Sequence, residues 1–230
     1  MNAPLISCIV PAFNSERYIG EAIDSILAQT WTNIEVIVAD DGSSDSTPAI
    51  VSRYDRVKLC TQPTAGPAAT RNLGASVATG ELLAFLDADD LWHKEKLERQ
   101  MNRFQDMPQL EACVTHARMF WSRELNYEAE SYRDNPRSRA VPGYATTTLL
   151  ARRTLFDKVG TFRTDLWFSD ATEWFMRVRE AGVAMEILPD VLTYHRMHEK
   201  NLTRRRSEES KAEFARIVGE SIVRRRKLQD

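Results

Sequence analysis

The apolar positions of this chain follow two periods, and in the first half the two alternate. Leu5–Val10 is an apolar run, as expected for a strand covered on both faces. From Glu16 to Gln29 the residues Ile19, Ala22, Ile23, Ile26 and Leu27 line one helical stripe, with Ser15 placed to cap it. Ile34–Ala39 reads as a second buried strand. Thr47 as cap and Pro48 at the first position open another helix. Val57–Thr61 reads as a third strand, Ala68–Ala78 as a helix and Leu82–Leu86 as a fourth strand. The order β-α-β-α-β-α-β predicts an α/β fold, a mostly parallel sheet flanked by helices with right-handed crossovers.

The second half is less regular. Lys94–Phe104 has a helical stripe, and Ala112–His116 reads as a strand. Trp121–Gly143 is polar with no clear period, and a long loop of that kind inside a domain is often functional. Order returns at Thr146–Leu150, followed by a helix over Arg152–Val159 ended by Gly160 and another over Ala171–Ala181 closed by Gly182. Glu186–Leu188 and Val191–Tyr194 read as two short strands around Pro189. Ser207–Arg226 reads as a helix with Phe214, Ile217, Val218, Ser221 and Ile222 on one stripe, bracketed by the basic runs Arg204–Arg206 and Arg224–Lys227. Basic clusters beside an apolar stripe suit an anionic membrane surface; a helix packed on the domain with solvated arginines fits the same pattern.

Composition narrows this picture only slightly. The 230 residues suffice for one α/β domain with a tail, and 43% hydrophobic with 28% charged residues is ordinary for a globular protein. A formal net charge of −2 argues against a protein that coats nucleic acid. Cys8, Cys60 and Cys113 form no CxxC pair, so they read as buried reduced thiols in a reducing, cytoplasmic compartment. The N-terminus lacks a signal-peptide pattern, and no apolar run approaches the roughly 20 residues of a membrane span.

The chemistry gathers at strand ends. Ligands of open α/β sheets bind outside the carboxyl ends of the strands. Here strand one ends in Pro11-Ala12-Phe13-Asn14, strand two in Asp40-Asp41-Gly42-Ser43-Ser44, and strand four in Asp87-Ala88-Asp89-Asp90. Three crowded carboxylates repel one another, and a hard divalent cation relieves the penalty. A solvated acidic turn capping the next helix is the other reading of the same residues. Pro11 is expected to fix the first turn, and Phe13 is either a core aromatic or part of the rim. Arg71, in Gly66–Gly74, sits on a helix from which it could reach a ligand or form a surface salt bridge. Neither GxGxxG nor GxxxxGK[ST] occurs here, so the fingerprints of a dinucleotide fold and a P-loop are absent.

Together these segments resemble glycosyltransferase family 2, whose members have the GT-A fold. The matching pieces come in the family's order: Val10–Asn14, Ile26–Thr47, Gly66–Gly74 and Gly80–Trp92. The likeness is firm over the first 105 residues and looser to about Thr203. It implies a GT-A domain over 1–203, with a nucleotide-binding half (1–105) and an acceptor-binding half (106–203), and a basic amphipathic helix over 204–230.

The resemblance also implies roles. Asp41 corresponds to the aspartate that reads the nucleotide base, with Pro11, Phe13 and Asn14 beside it and Arg71 nearby. Asp87, Ala88 and Asp89 match the family's DxD, with Asp89 the direct ligand of Mn²⁺ or Mg²⁺, and His198 resembles a late histidine that closes on metal and diphosphate. The expected partners are a nucleotide-sugar donor, UDP-linked by default, and a saccharide or lipid-linked acceptor, at the inner face of the membrane if the tail binds lipid. The catalytic base departs from the pattern. The family's acidic pair before a helix arginine is represented only by Asp170, with Ala171 after it; Asp170 is the first choice as base and Glu173 the fallback. A nucleotidyltransferase, or a nucleotide-sugar-binding scaffold that has lost its base, are the competing readings.

Overall fold

The protein is described by a computed structural model that covers residues 3–132, 140–202 and 208–227. The basic run Arg204–Arg206 and the expected boundary at 203/204 therefore lie outside the described residues.

The first half follows the predicted alternation. It runs β1 (Ile6–Ala12), α1 (Ile19–Leu27), β2 (Ile34–Asp40), α2 (Thr47–Val51), β3 (Val57–Thr61), α3 (Pro67–Val77) and β4 (Leu82–Phe85). These four strands lie in the order β3-β2-β1-β4, all parallel. Ser15 does not cap α1 through its side chain; its carbonyl instead accepts the Tyr18 and Ile19 N–H groups.

Pro11 lies inside β1, opposite Ala39, rather than in the turn. Ile6 donates its N–H to Asn33 O on the β2 side, so by alternation the Pro11 nitrogen faces the other edge. On that edge the β1–β4 pairing stops at Ile9–Phe85, so the missing N–H leaves no ladder bond unmade.

The second half contributes β5 (Leu91–Trp92), α4 (Lys96–Asp106), β6 (Ala112–Trp121), α5 (Asn126–Ser131), β7 (Val141–Pro142), β8 (Leu150–Arg152), α6 (Arg153–Val159), α7 (Asp170–Glu180), β9 (Met185–Met197) and α8 (Glu208–Lys227). The sheet continues from β4 through β8, β6 and β9 to β5, with β7 on β6. The long ladders are parallel, as expected, and short antiparallel pairs join them here. β8 is antiparallel to both β4 and β6, and only β6–β9 is parallel. A parallel pair needs a crossover, which α6 and α7 supply before β9; between β6 and β8 the described residues form short helical turns, α5 and β7.

The two short strands expected around Pro189 are one strand. Thr115 pairs with Leu188 and His116 with Val191, so Pro189 and Asp190 bulge out of the ladder. A bulge is where a residue with no N–H can be tolerated.

Period-two alternation splits the core into two layers. Ile6, Cys8 and Val10 of β1 face α1 and α4, while Ile9 faces the other side with α3, α6 and α7. Gly74 permits the close approach of α3, since a Cβ there would stand 2.4 Å from Ile9 Cγ2. All three cysteines are free; Cys8 and Cys113 are buried and Cys60 is half-buried. Of the stripe expected on α8, only Ile217 and Ser221 are buried; Phe214 and Ile222 are exposed. Among the described residues no helix is long and apolar enough to cross a membrane.

Candidate active site

The ends of β1 and β2 are tied together first. Asn14 takes the left-handed conformation, with φ 47°. Its N–H donates to Ser43 Oγ at 2.8 Å, and its Oδ1 accepts the Ser44 N–H at 2.9 Å. Phe13 beside it is not a core aromatic, being 51% exposed.

Asp41, one residue past β2, is buried, and its carboxylate accepts three hydrogen bonds. Oδ1 accepts from Gln62 Nε2 at 2.7 Å and from the Ala65 N–H at 2.9 Å; Oδ2 accepts from the Gly66 N–H at 2.9 Å. An ionised carboxylate offers about four acceptor positions, so one on Oδ2 remains for a further donor. Gly66, with φ 94°, opens α3 and lies under the Trp167 ring: a Cβ there would stand 2.8 Å from Trp167 Cζ3.

α3 then presents Arg71 to two carboxylates. Its Nη2 donates to Asp87 Oδ1 at 2.9 Å and its Nη1 to Asp170 Oδ2 at 2.7 Å. Asp87 follows β4, and Asp170 is the first residue of α7, so one guanidinium joins the two halves. Burial pushes the Asp170 carboxyl above its usual range, and the charge of Arg71 opposes the shift. Glu173 is not brought to this point. It is buried, with Oε2 accepting from Arg177 Nε at 2.8 Å and Oε1 lying 3.5 Å from Arg224 Nη1. It shares no partner with Asp170.

The acidic run after β4 divides its three carboxylates. Asp87 goes to Arg71. Asp89 Oδ2 lies 2.8 Å from His198 Nε2 and accepts from Asn201 Nδ2 at 3.2 Å. The Lys200 N–H donates to His198 Nδ1, which leaves the proton of the neutral ring on Nε2, facing Asp89. Burial pushes Asp89 up, but the His198 hydrogen bond and the charge of His195 outweigh it and hold the carboxylate below its usual range. Asp90 is fully buried against His195 Nδ1, at 3.0 Å, and its charge is the main cause that raises the imidazole to about 9. Ala88 packs its side chain into the core, so only its backbone is available to a ligand.

Several partners in the site were not found from sequence. Gln62, His195, Arg196 and Asn201 each fix one of these carboxylates or its neighbours, and Asn201 also accepts the His198 N–H. Arg196 donates to Asp89 O and lies between the Tyr18 and Phe120 rings. For His195, Arg196 and Asn201 the sequence signal was the density of polar residues at and just past the end of β9, over Tyr194–Asn201.

The donor set suits a divalent metal in one form only. Among the described residues no three His, Cys, Asp or Glu are grouped to hold an ion, so there is no complete protein cage. Asp89 and His198 offer one carboxylate and one imidazole side by side, which fits an ion that completes its shell with diphosphate oxygens.

Comparison with known proteins places the chain among glycosyltransferases. The family model "Glycosyl transferase family 2" matches residues 7–164. An uncharacterized glycosyltransferase of Rickettsia typhi is 31% identical over 87% of this chain and 66% of its own length. A UDP-Glc:α-D-GlcNAc-diphosphoundecaprenol β-1,3-glucosyltransferase of Escherichia coli is 43% identical over 44% of this chain and 42% of its own. The chain thus spans less than two thirds of the length of these curated relatives. Among solved structures, S. aureus TarS in complex with UDP-GlcNAc aligns with a TM-score of 0.74 and 23% identity, covering 92% of this chain and 65% of that one. The mannosyltransferase PcManGT of Pyrobaculum calidifontis, in complex with GDP-Man and Mn²⁺, aligns at 0.68 and 25% identity over 87% of this chain and 59% of that one. With the family model spanning most of the strands that carry the site, the chain belongs to glycosyl transferase family 2.

Proposed function

We propose that this chain transfers a sugar from a nucleoside diphosphate donor, UDP-linked, to an acceptor hydroxyl with inversion at the anomeric carbon. The observation that carries the reading is Arg71, whose guanidinium holds Asp87 of the nucleotide half and Asp170 of the acceptor half at one point. The relatives' names supply the substrate class: one E. coli relative is named for a UDP-glucose donor and a diphosphoundecaprenol-linked acceptor.

Asp170 is the base. Its burial disfavours the charged form, which makes it a better proton acceptor than an exposed carboxylate. It takes the acceptor proton while the new C1–O bond forms and the bond to the diphosphate breaks. Arg71 keeps the carboxylate oriented. Glu173, committed to Arg177 and Arg224, is set aside as the alternative base. Asp41 uses its remaining acceptor position for a base N–H, with Phe13 and Asn14 at the rim. Mn²⁺ or Mg²⁺, held by Asp89 and His198, would offset the charge of the leaving diphosphate.

The test combines binding and turnover. UDP, GDP and dTDP are titrated calorimetrically with Mn²⁺ and with EDTA, and UDP release from UDP-glucose and UDP-GlcNAc is followed in wild type and Asp170→Asn. Metal-dependent binding of UDP is expected, with a loss of about 10²–10⁴-fold in turnover in the variant at unchanged UDP affinity. Binding of no diphosphate by folded protein would overturn the transferase reading, binding without turnover would return the scaffold reading, and wild-type turnover by Asp170→Asn would remove the base.

A further inference from the structure

The segment that delivers Asp170 is held from outside the two halves of the site. Trp167, Phe168 and Ser169 immediately precede α7, and all three of their N–H groups point to one side chain. Glu213 of α8 accepts the Trp167 N–H through Oε2 at 2.9 Å and the Phe168 and Ser169 N–H groups through Oε1 at 2.9 and 2.6 Å. Bonds from N–H groups to an ionised carboxylate are short and about twice as strong as neutral ones. Three from consecutive residues to one carboxylate leave the segment little freedom to shift.

Both ends of that segment meet the nucleotide half. The Trp167 ring covers Gly66, whose N–H is bonded to Asp41, and the carboxylate of Asp170 meets Arg71. α8 itself is docked at separate points. Arg224 bonds Glu180 at 2.6 Å, Arg163 pairs with Glu220, Arg216 lies 3.2 Å from Asp165, and Ile217 is buried. The carboxylate of Glu213 is therefore presented by an anchored helix.

We propose that Glu213 is a positioning residue of the active site: through the N–H groups of Trp167–Ser169 it sets the Asp170 carboxylate against Arg71. This rests on Asp170 being the base. Glu213 touches no substrate and moves no proton. Its effect belongs in the rate of the chemical step, because a base displaced by about 1 Å can cost on the order of 10²-fold.

The experiment compares Glu213→Ala, Glu213→Gln, Glu220→Gln and Asp170→Asn by UDP release from UDP-glucose and UDP-GlcNAc, with water as the acceptor hydroxyl. UDP affinity is measured alongside by calorimetry, and amide exchange of Trp167–Ser169 by NMR. Glu213→Ala is expected to lower kcat by about 10–100-fold, to keep UDP affinity within about threefold, and to lose amide protection at these three residues. Glu213→Gln, whose amide oxygen can still accept from Phe168 and Ser169, should recover most of kcat. Glu220→Gln breaks another contact of α8 without touching the segment and should leave kcat near wild type.

Three results overturn the proposal: fast exchange of the three amides in wild type, wild-type kcat in folded Glu213→Ala, or an equal loss in Glu220→Gln, which would make the effect one of helix docking. The failures are separable. If Asp170→Asn turns over at the wild-type rate, the base assignment falls. An inactive Asp170→Asn with an unimpaired Glu213→Ala removes only the role of Glu213.

Discussion

Arg71 carries one positive charge and faces two carboxylates, so its neighbourhood keeps a residual negative charge. The sequence could place Arg71 on a helix after strand three but left open a surface salt bridge. Its two partners stand 16 and 99 residues away, and only one of them is in the same half. Lys96 is a second residue whose setting was invisible. It falls within the helix expected over Lys94–Phe104, yet it is fully buried. Its Nζ donates to Gln100 Oε1 at 2.9 Å and stands 4.2 Å from the Trp92 ring centroid, and neither partner is charged. Burial pushes its ammonium down to about 7 from 10.5.

The sign follows by linkage. Between these values the unfolded chain binds a proton that the folded chain does not, so stability rises with pH from about 7 toward 10.5. Lys96→Met should raise stability by about 1–3 kcal/mol at neutral pH, the gain from removing a buried charge less the cost of an unpaired Gln100 oxygen. It should also flatten that rise. Urea unfolding from pH 6.5 to 10 checks both; an unchanged pH slope would count against a neutral Lys96 in the folded state.

Elements with a clear period were legible, and those whose limits depend on neighbours were not. The parallel strands β1–β4 fall where their apolar runs lie, within a residue or two. β6 runs on to Trp121, five residues past the end expected for it, because β9 lies alongside over its whole length. The contact between α3 and β1 depends on Gly74 having no side chain. Gly74→Ala should cost about 1–3 kcal/mol through the clash with Ile9. Ile9→Ala removes the clashing Cγ2 and should therefore cost less in the Gly74→Ala chain than it does alone. Thermal unfolding of the single and double variants measures it, and an alanine at 74 with no effect on Tm would show that α3 can move away.

At the scale of the molecule, α8 was expected either to lie on a membrane or to pack on the domain, and it has a face for each. Glu213, Ile217, Glu220, Ser221 and Arg224 face the domain, where their partners lie between Arg163 and Glu180. Phe214 and Ile222, two turns apart, stay 51% and 40% exposed, with exposed Lys211 and Arg225 on the same side. An apolar and basic outer face predicts sedimentation with vesicles containing phosphatidylglycerol at low salt and release at high salt. Vesicles of phosphatidylcholine alone should leave the protein in the supernatant. Failure to pellet with the anionic vesicles at low salt would remove the membrane role and leave the helix packed on the domain.

What the amino-acid sequence determined by itself is local or topological. Apolar periods of two and 3.6 set the strands and helices of the first half, and parallel connection of those strands puts Asn14, Asp41 and Asp87 at one rim because every strand ends on the same side. What the tertiary structure decided is pairing over distance. Asp170 rather than Glu173 meets Arg71, Asp89 meets His198 across 109 residues, and Glu213 reaches Trp167 across 46. Each of these depends on how helices pack against a mixed sheet whose second half follows no single connection rule. A carboxylate's neighbours in the chain do not say which distant donor will satisfy it; burial makes a partner necessary, and the packing chooses which one.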